Sequence, residues 1–130
     1  MSGYSAPAGA GPRSAWSLAD WLAWQETLHP QGIDLGLERV RAVGARLDLL
    51  RPAARVIVVG GTNGKGSTVA FLEAMLHADG RRVSAYTSPH LLRYEERLRC
   101  DGRELPATDW CRAFVAVDAA RGDISLTYFE

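Results

Sequence analysis

An excess of charge of one sign is missing from this chain of 130 residues: 15 lysines and arginines stand against 15 aspartates and glutamates, for a formal net charge of +0. Proteins that grip nucleic acid through its phosphates show a basic surplus, so a nucleic-acid partner is not expected. Cysteine is scarce, at 2 residues, too few for a disulfide scaffold and in keeping with a reducing, cytoplasmic setting. No apolar run approaches the roughly 20 residues that a membrane-spanning helix needs. The opening Met1-Ser2-Gly3-Tyr4-Ser5-Ala6-Pro7 has neither the basic nor the apolar region of a secretory leader. What is present is a 47% hydrophobic composition, enough for one ordinary core at this length.

Residues 1–14 are mostly Gly, Ala, Pro and Ser, which bury too little to offset their ordering entropy, and they are expected to form a flexible tail before a domain at 15–130. Ser17 precedes Leu18-Ala19-Asp20-Trp21-Leu22 as an N-cap with an acid in the first turn. Trp16, Trp21 and Trp24 are expected to anchor that helix hydrophobically. A second helix, with Leu37, Val40, Gly44, Leu47 and Leu50 on one stripe, is expected to run until Pro52 forbids continuation.

Arg55-Val56-Ile57-Val58-Val59 is β-branched without polar alternation, the pattern of a strand covered on both faces. Gly60 to Gly66 follows, then a helical stretch from Ser67 to Leu76 closed by Gly80, then a second strand over Val83 to Thr87. Strand, glycine-rich loop, helix and strand make one parallel βαβ unit. Asp101-Gly102 is a two-residue hairpin turn. Thr108 is expected to cap a helix that presents Trp110, Cys111, Phe114, Val115 and Val117 on one face and stops at Gly122. The apolar ending Ile124 to Glu130 and the shortage of strands suggest a sheet cut short, and hence the front portion of a longer protein.

The loop carries the chemistry. Small residues between a buried strand and a helix let successive main-chain N–H groups converge, and the helix N-terminus adds partial positive charge, so the segment is an anion site. Lys65 at its end can reach the terminal phosphates of a nucleotide. Two departures from the common phosphate-loop pattern stand out. Val59 occupies the first glycine position, and Gly66 follows the lysine, with hydroxyls arriving only at Ser67 and Thr68.

Those departures carry a resemblance. Gly61-Thr62-Asn63-Gly64-Lys65-Gly66-Ser67 resembles the nucleotide loop of the Mur ligase superfamily, ATP-dependent ligases that form amide bonds. Tyr86-Thr87-Ser88-Pro89-His90-Leu91, Ile33 to Val40 and Gly122 to Glu130 are similar to the folate branch of that superfamily. The likeness runs in order from about Ser17 to Glu130. It implies an α/β fold, the N-terminal part of a phosphate-loop, Mur-ligase-like ATP-binding domain with an incomplete sheet.

The resemblance further implies an activity. ATP phosphorylates a carboxylate of a pteroate or folate substrate, and the amino group of L-glutamate displaces phosphate to form the amide. Gly61, Thr62, Asn63, Gly64, Lys65, Gly66 and Ser67 would hold ATP, with Lys65 catalytic across the β- and γ-phosphates, and Ser88 would bind Mg²⁺. Asp34, Leu35, Gly36, Thr127, Tyr128, Phe129 and Glu130 would line the site for dihydropteroate or folate. Without the family, Phe129 reads as core and Asp34 as a helix-entry acid. The Arg93 to Arg97 charge cluster reads as solvated surface, and His90 as a loop residue. Family members are much longer, so this portion is expected to be inactive on its own; the full-length parent is expected to be a monomer, in the cytoplasm. Competing readings are a cell-wall ligase that adds an amino acid to a nucleotide-linked muropeptide, and a nucleotide-binding module without catalysis. A GTPase is disfavoured because no Asn-Lys-x-Asp segment is present.

Overall fold

A computed structural model describes residues 12–28, 36–52 and 55–130. The chain divides into two compact units, one built from Met1–Ala54 with Thr108–Glu130, the other from Arg55–Ala107.

In the first unit, helix α1 (Leu18–Gln25) opens with a capping box. The Ser17 hydroxyl accepts from the Asp20 N–H at 3.3 Å while the Asp20 carboxylate accepts from the Ser17 N–H at 3.0 Å, so two orphan donors are satisfied reciprocally. Trp21 faces inward and is 1% exposed. It meets Trp16, Trp24 and Phe114 with ring centroids 5.2, 5.5 and 5.8 Å away, the first two edge to face. The anchoring role expected of the tryptophans is therefore what the fold shows. Arg13 stacks 4.2 Å from the Trp24 ring centroid and bridges to Asp118 at 2.7 Å. Arg13 and Ser14, expected within the tail, belong to a 3-10 turn over Arg13–Ala15 that this arginine pins. Residues 1–11 lie outside the described residues.

Helix α2 (Glu38–Arg46) buries Val43. It ends at Arg46, closed by a turn at Asp48 well before Pro52. Asp48 takes φ 56°, a left-handed conformation that a short polar side chain tolerates. Its N–H bonds to the Ala45 carbonyl at 3.1 Å, and the Leu49 N–H reaches the Gly44 carbonyl at 2.8 Å, a Schellman closure. Leu50, expected on the buried stripe, is consequently 53% exposed. Helix α4 (Ala107–Arg121) starts one residue before the expected Thr108 cap and ends at Gly122, with φ 55°. The Arg46 guanidinium donates to the carbonyls of Ala120 and Arg121 at 2.7 and 2.9 Å, placing a cation on the negative end of α4. Trp110 is buried on α4, and Leu126 and Thr127 are buried beyond it. The Ser125 hydroxyl donates to the Leu28 carbonyl at 2.7 Å.

The second unit contains helix α3 (Lys65–Ala78) and strands β1 (Ser84–Tyr86), β2 (Leu98–Cys100) and β3 (Arg103–Glu104), in sheet order β1-β2-β3. Gly80, with φ 73°, closes α3 as expected: its N–H bonds to the His77 carbonyl and that of Arg81 to the Leu76 carbonyl, each at 3.0 Å. Asp101 and Gly102 adopt φ 50° and 77°, the paired positive values of a type I′ hairpin.

The strand pairing differs from expectation. β1 pairs antiparallel with β2, with Ala85 opposite Arg99, and no parallel βαβ ladder forms among the described residues. Arg55 to Val59 has no strand pairing, and Val56, Ile57 and Val58 are 65%, 61% and 87% exposed. A β-branched run states a preference for being covered, but the covering elements are non-local, and none of the described residues supplies them. Among the described residues, no helix is long and apolar enough to cross a membrane.

Candidate functional site

Gly61 to Gly64 form a loop without strand or helix, and α3 begins at Lys65. Gly61 takes φ 149° and Gly64, the residue capping the helix, φ 75°, so both bends rely on the absence of a Cβ. Thr68 is the first α3 residue whose N–H bonds back, to the Gly64 carbonyl at 2.9 Å. The amides of Lys65, Gly66 and Ser67 therefore belong to the open first turn, where N–H groups point along the axis away from the helix. Every residue from Gly60 to Thr68 is exposed. The Lys65 ammonium folds over the loop and donates to the carbonyls of Gly61 at 2.5 Å and Thr62 at 3.1 Å. A cation held by two neutral carbonyls beside a free helix start is a natural receiver for a polyanion, since phosphate oxygens offer it a stronger charge-assisted bond.

β1 leads into the second group of residues. The Thr87 N–H bonds to the Arg97 carbonyl at 2.8 Å, and Ser88 follows, exposed, ahead of a cis Ser88–Pro89 peptide. The charge cluster read as solvated surface is in fact the framework of this loop. The Glu96 carboxylate accepts the main-chain N–H groups of Leu91, Leu92 and Arg93 at 2.8, 3.0 and 2.8 Å. These bonds hold its pKa below the usual carboxylate value. Arg97 is buried; its Nε donates to His90 Nδ1 at 2.9 Å and its guanidinium lies 5.0 Å from the Tyr94 ring centroid. His90 is thus an acceptor inside a scaffold. Sequence reasoning missed this because a buried arginine–histidine contact leaves no local spacing signal.

Among the described residues, no cluster of three or more His, Cys, Asp or Glu could hold a metal by itself. Ser88 offers one exposed, hard oxygen. That suits Mg²⁺, which keeps most of its waters and takes phosphate oxygens alongside few protein ligands.

The residues expected to meet a pterin fall in the first unit. Asp34 and Leu35 lie outside the described residues, whereas Gly36 is described. Glu130 Oε2 accepts from the Thr127 N–H at 2.8 Å and from Arg39 Nη2 and Nε at 3.1 and 3.3 Å. Glu130 Oε1 is buried with no hydrogen-bond partner among the described residues, an open acceptor for an N–H donor. Phe129 is 75% exposed, so its ring is a free face, contrary to its reading as core. Burial raises the Glu130 pKa, but the bonds from the Thr127 N–H and Arg39 outweigh it, and the net displacement is downward. A depressed carboxylate adds stability above its unfolded pKa, about 4.3, and loses it as pH falls through the folded value. Glu130→Gln should therefore melt below the wild type at pH 7, with the gap closing as the pH is taken below about 4.

No protein-family model matches the chain. The chain is 55% identical over 119 residues to dihydrofolate synthase/folylpolyglutamate synthase of Escherichia coli strain K12, covering 92% of this chain and 28% of that protein. Among solved structures, E. coli FolC in complex with DHPP and ADP superposes with a TM-score of 0.88 at 54% identity, covering 92% of this chain and 29% of that one. The bifunctional folylpolyglutamate synthase/dihydrofolate synthase from Yersinia pestis complexed with AMPPNP and Mn ion gives 0.85 at 54% identity, with the same coverages. The chain thus spans under a third of the length of the relatives it matches. Its fold is that of their Mur-ligase-like N-terminal domain, as the loop motif implied.

Proposed function

We infer, from a chain homologous over 119 residues to the bacterial dihydrofolate synthase/folylpolyglutamate synthases, that it forms the nucleotide-loop portion of an ATP-dependent folate ligase. The reaction joins L-glutamate to dihydropteroate, to folylpolyglutamate, or to both, through an acyl phosphate. The observation that carries this reading is the Lys65 ammonium seated on the Gly61 and Thr62 carbonyls beside the open start of α3.

Each part has a role that its chemistry suits. The N–H groups of the loop and of the first turn of α3 (Gly61 to Ser67) surround the phosphates, and Lys65 moves from loop carbonyls to β- and γ-phosphate oxygens. Preorganised donors of this kind act where charge develops during phosphoryl transfer. Mg²⁺, taken up through Ser88, would offset phosphate charge. In the first unit, Glu130 Oε1 accepts from ring N–H groups of a pterin, and Phe129 presents an aromatic face for stacking. Thr127 holds that carboxylate through its N–H, while Gly36, Tyr128 and the segment around Asp34 and Leu35 complete the substrate contacts. ADP, AMPPNP, Mn ion and DHPP in the related structures support the same ligand classes. A monomeric, cytoplasmic enzyme without nucleic-acid or membrane partners remains part of this proposal.

Calorimetric titrations test it. Mg·ATP and dihydropteroate should each bind saturably, and a nucleotide-linked muropeptide should not. Binding of the muropeptide without dihydropteroate would transfer the chain to the cell-wall ligases.

A further inference from the structure

Helix α3 is held to its sheet in an unusual way. Of its 14 residues the one that is buried is Glu73, whereas Phe71 and Met75 are 69% and 60% exposed. The Glu73 carboxylate receives Arg99 from β2. Arg99 Nε lies 2.9 and 3.2 Å from its two oxygens, and Arg99 Nη2 bonds to Oε2 as well. The side chains are 10% and 31% exposed. The hydrogen bonds that Arg99 donates to Glu73 are the main reason that the Arg99 pKa is raised. The buried side chain of α3 is thus engaged in an ion pair with β2.

The two ends of the pair lie on the two elements that lead to the glycine loop and to Ser88. Glu73 stands eight positions beyond Lys65 on the same helix, roughly 12 Å along its axis, so the helix carries any tilt at Glu73 to the loop. Arg99 lies opposite Ala85 in the β1–β2 ladder. That ladder continues through Leu98 opposite Tyr86 and the Thr87 N–H on the Arg97 carbonyl, and the next residue is Ser88. We propose that the Glu73–Arg99 pair is a positioning couple that sets the Ser88 hydroxyl against the phosphate loop, so that Mg²⁺ and ATP strengthen each other's binding through it. The proposal rests on the nucleotide reading above. It adds two residues that touch neither ligand and a property, metal–nucleotide coupling, that depends on them.

Coupling between two ligands is reciprocal and commonly worth fivefold or more in affinity. The test measures ATP affinity by calorimetry with and without Mg²⁺ in the whole chain, for the wild type, Glu73→Gln, Arg99→Lys and the double variant Glu73→Leu with Arg99→Leu. An apolar pair of similar volume often preserves stability where a lone buried charge does not, so the double variant separates folding from positioning. The expected result is that the gain in affinity on adding Mg²⁺ drops by about fivefold in all three variants, with metal-free affinity within about twofold of the wild type. A lowered melting temperature with the full Mg²⁺ gain would make the pair a structural bridge only and overturn this proposal alone. A wild-type chain that fails to bind ATP at all would overturn the nucleotide reading, and the proposal with it.

Discussion

Lys65→Ala lowers the affinity of the chain for Mg·ATP by roughly ten- to a hundredfold while leaving its melting temperature within a degree or so of the wild type. The size follows from the bond that is lost. Hydrogen bonds to charged groups contribute about 1.5–3 kcal/mol, and each 1.4 kcal/mol is tenfold in affinity. Stability is spared because Lys65 is exposed and, among the described residues, its ammonium bonds only to the Gly61 and Thr62 carbonyls, which water can satisfy instead. Calorimetry with ATP and Mg²⁺, paired with a thermal melt, reads both quantities. Unchanged affinity would remove the ammonium from the phosphate site. A collapsed melting temperature would mean that the lysine organises the loop and does not serve a ligand.

The largest effect on folding is expected at Trp21. Trp21→Ala removes the side chain that is 1% exposed and that touches Trp16, Trp24 and Phe114 at 5.2–5.8 Å between centroids. Truncating a buried aromatic to alanine costs about 3–5 kcal/mol, from lost transfer energy and the cavity left behind. Domains of this size hold about 5–15 kcal/mol in total, so the variant should lose roughly a fifth or more of its stability and melt well below the wild type. Urea unfolding followed by tryptophan fluorescence measures the loss. A change below about 1 kcal/mol would mean that the cluster repacks freely and is not the anchor of the first unit.

Local chemistry made much of this structure legible in the sequence. Ser17 with Asp20, Gly80, Asp101-Gly102 and Gly122 each state a cap or turn through their own conformational preferences, and each stands where the sequence put it. The glycine loop ahead of α3 was legible for the same reason. What escaped was non-local. The run Arg55 to Val59 declares a need for cover without naming its neighbours, and β1 found its partner in the hairpin strand β2. Arg39 and Glu130 are 91 positions apart, Arg46 caps a helix that ends 75 positions later, and Arg97 is buried by His90 and Tyr94. No periodicity signals such contacts, because each depends on where the backbone carries the end of a long arginine side chain. Asp48 shows a subtler limit, since an aspartate can take the left-handed turn usually assigned to glycine and end a helix before a proline does.

Backbone amide spectra of the isotope-labelled chain, recorded while Mg·AMPPNP is added, test the phosphate cradle most directly. The N–H resonances of Gly61 to Ser67 should move together and saturate at one affinity, with those of α2 and α4 nearly still. If those seven amides stay in place while the nucleotide binds elsewhere, or if it does not bind, main-chain donors at the head of α3 are not what holds ATP.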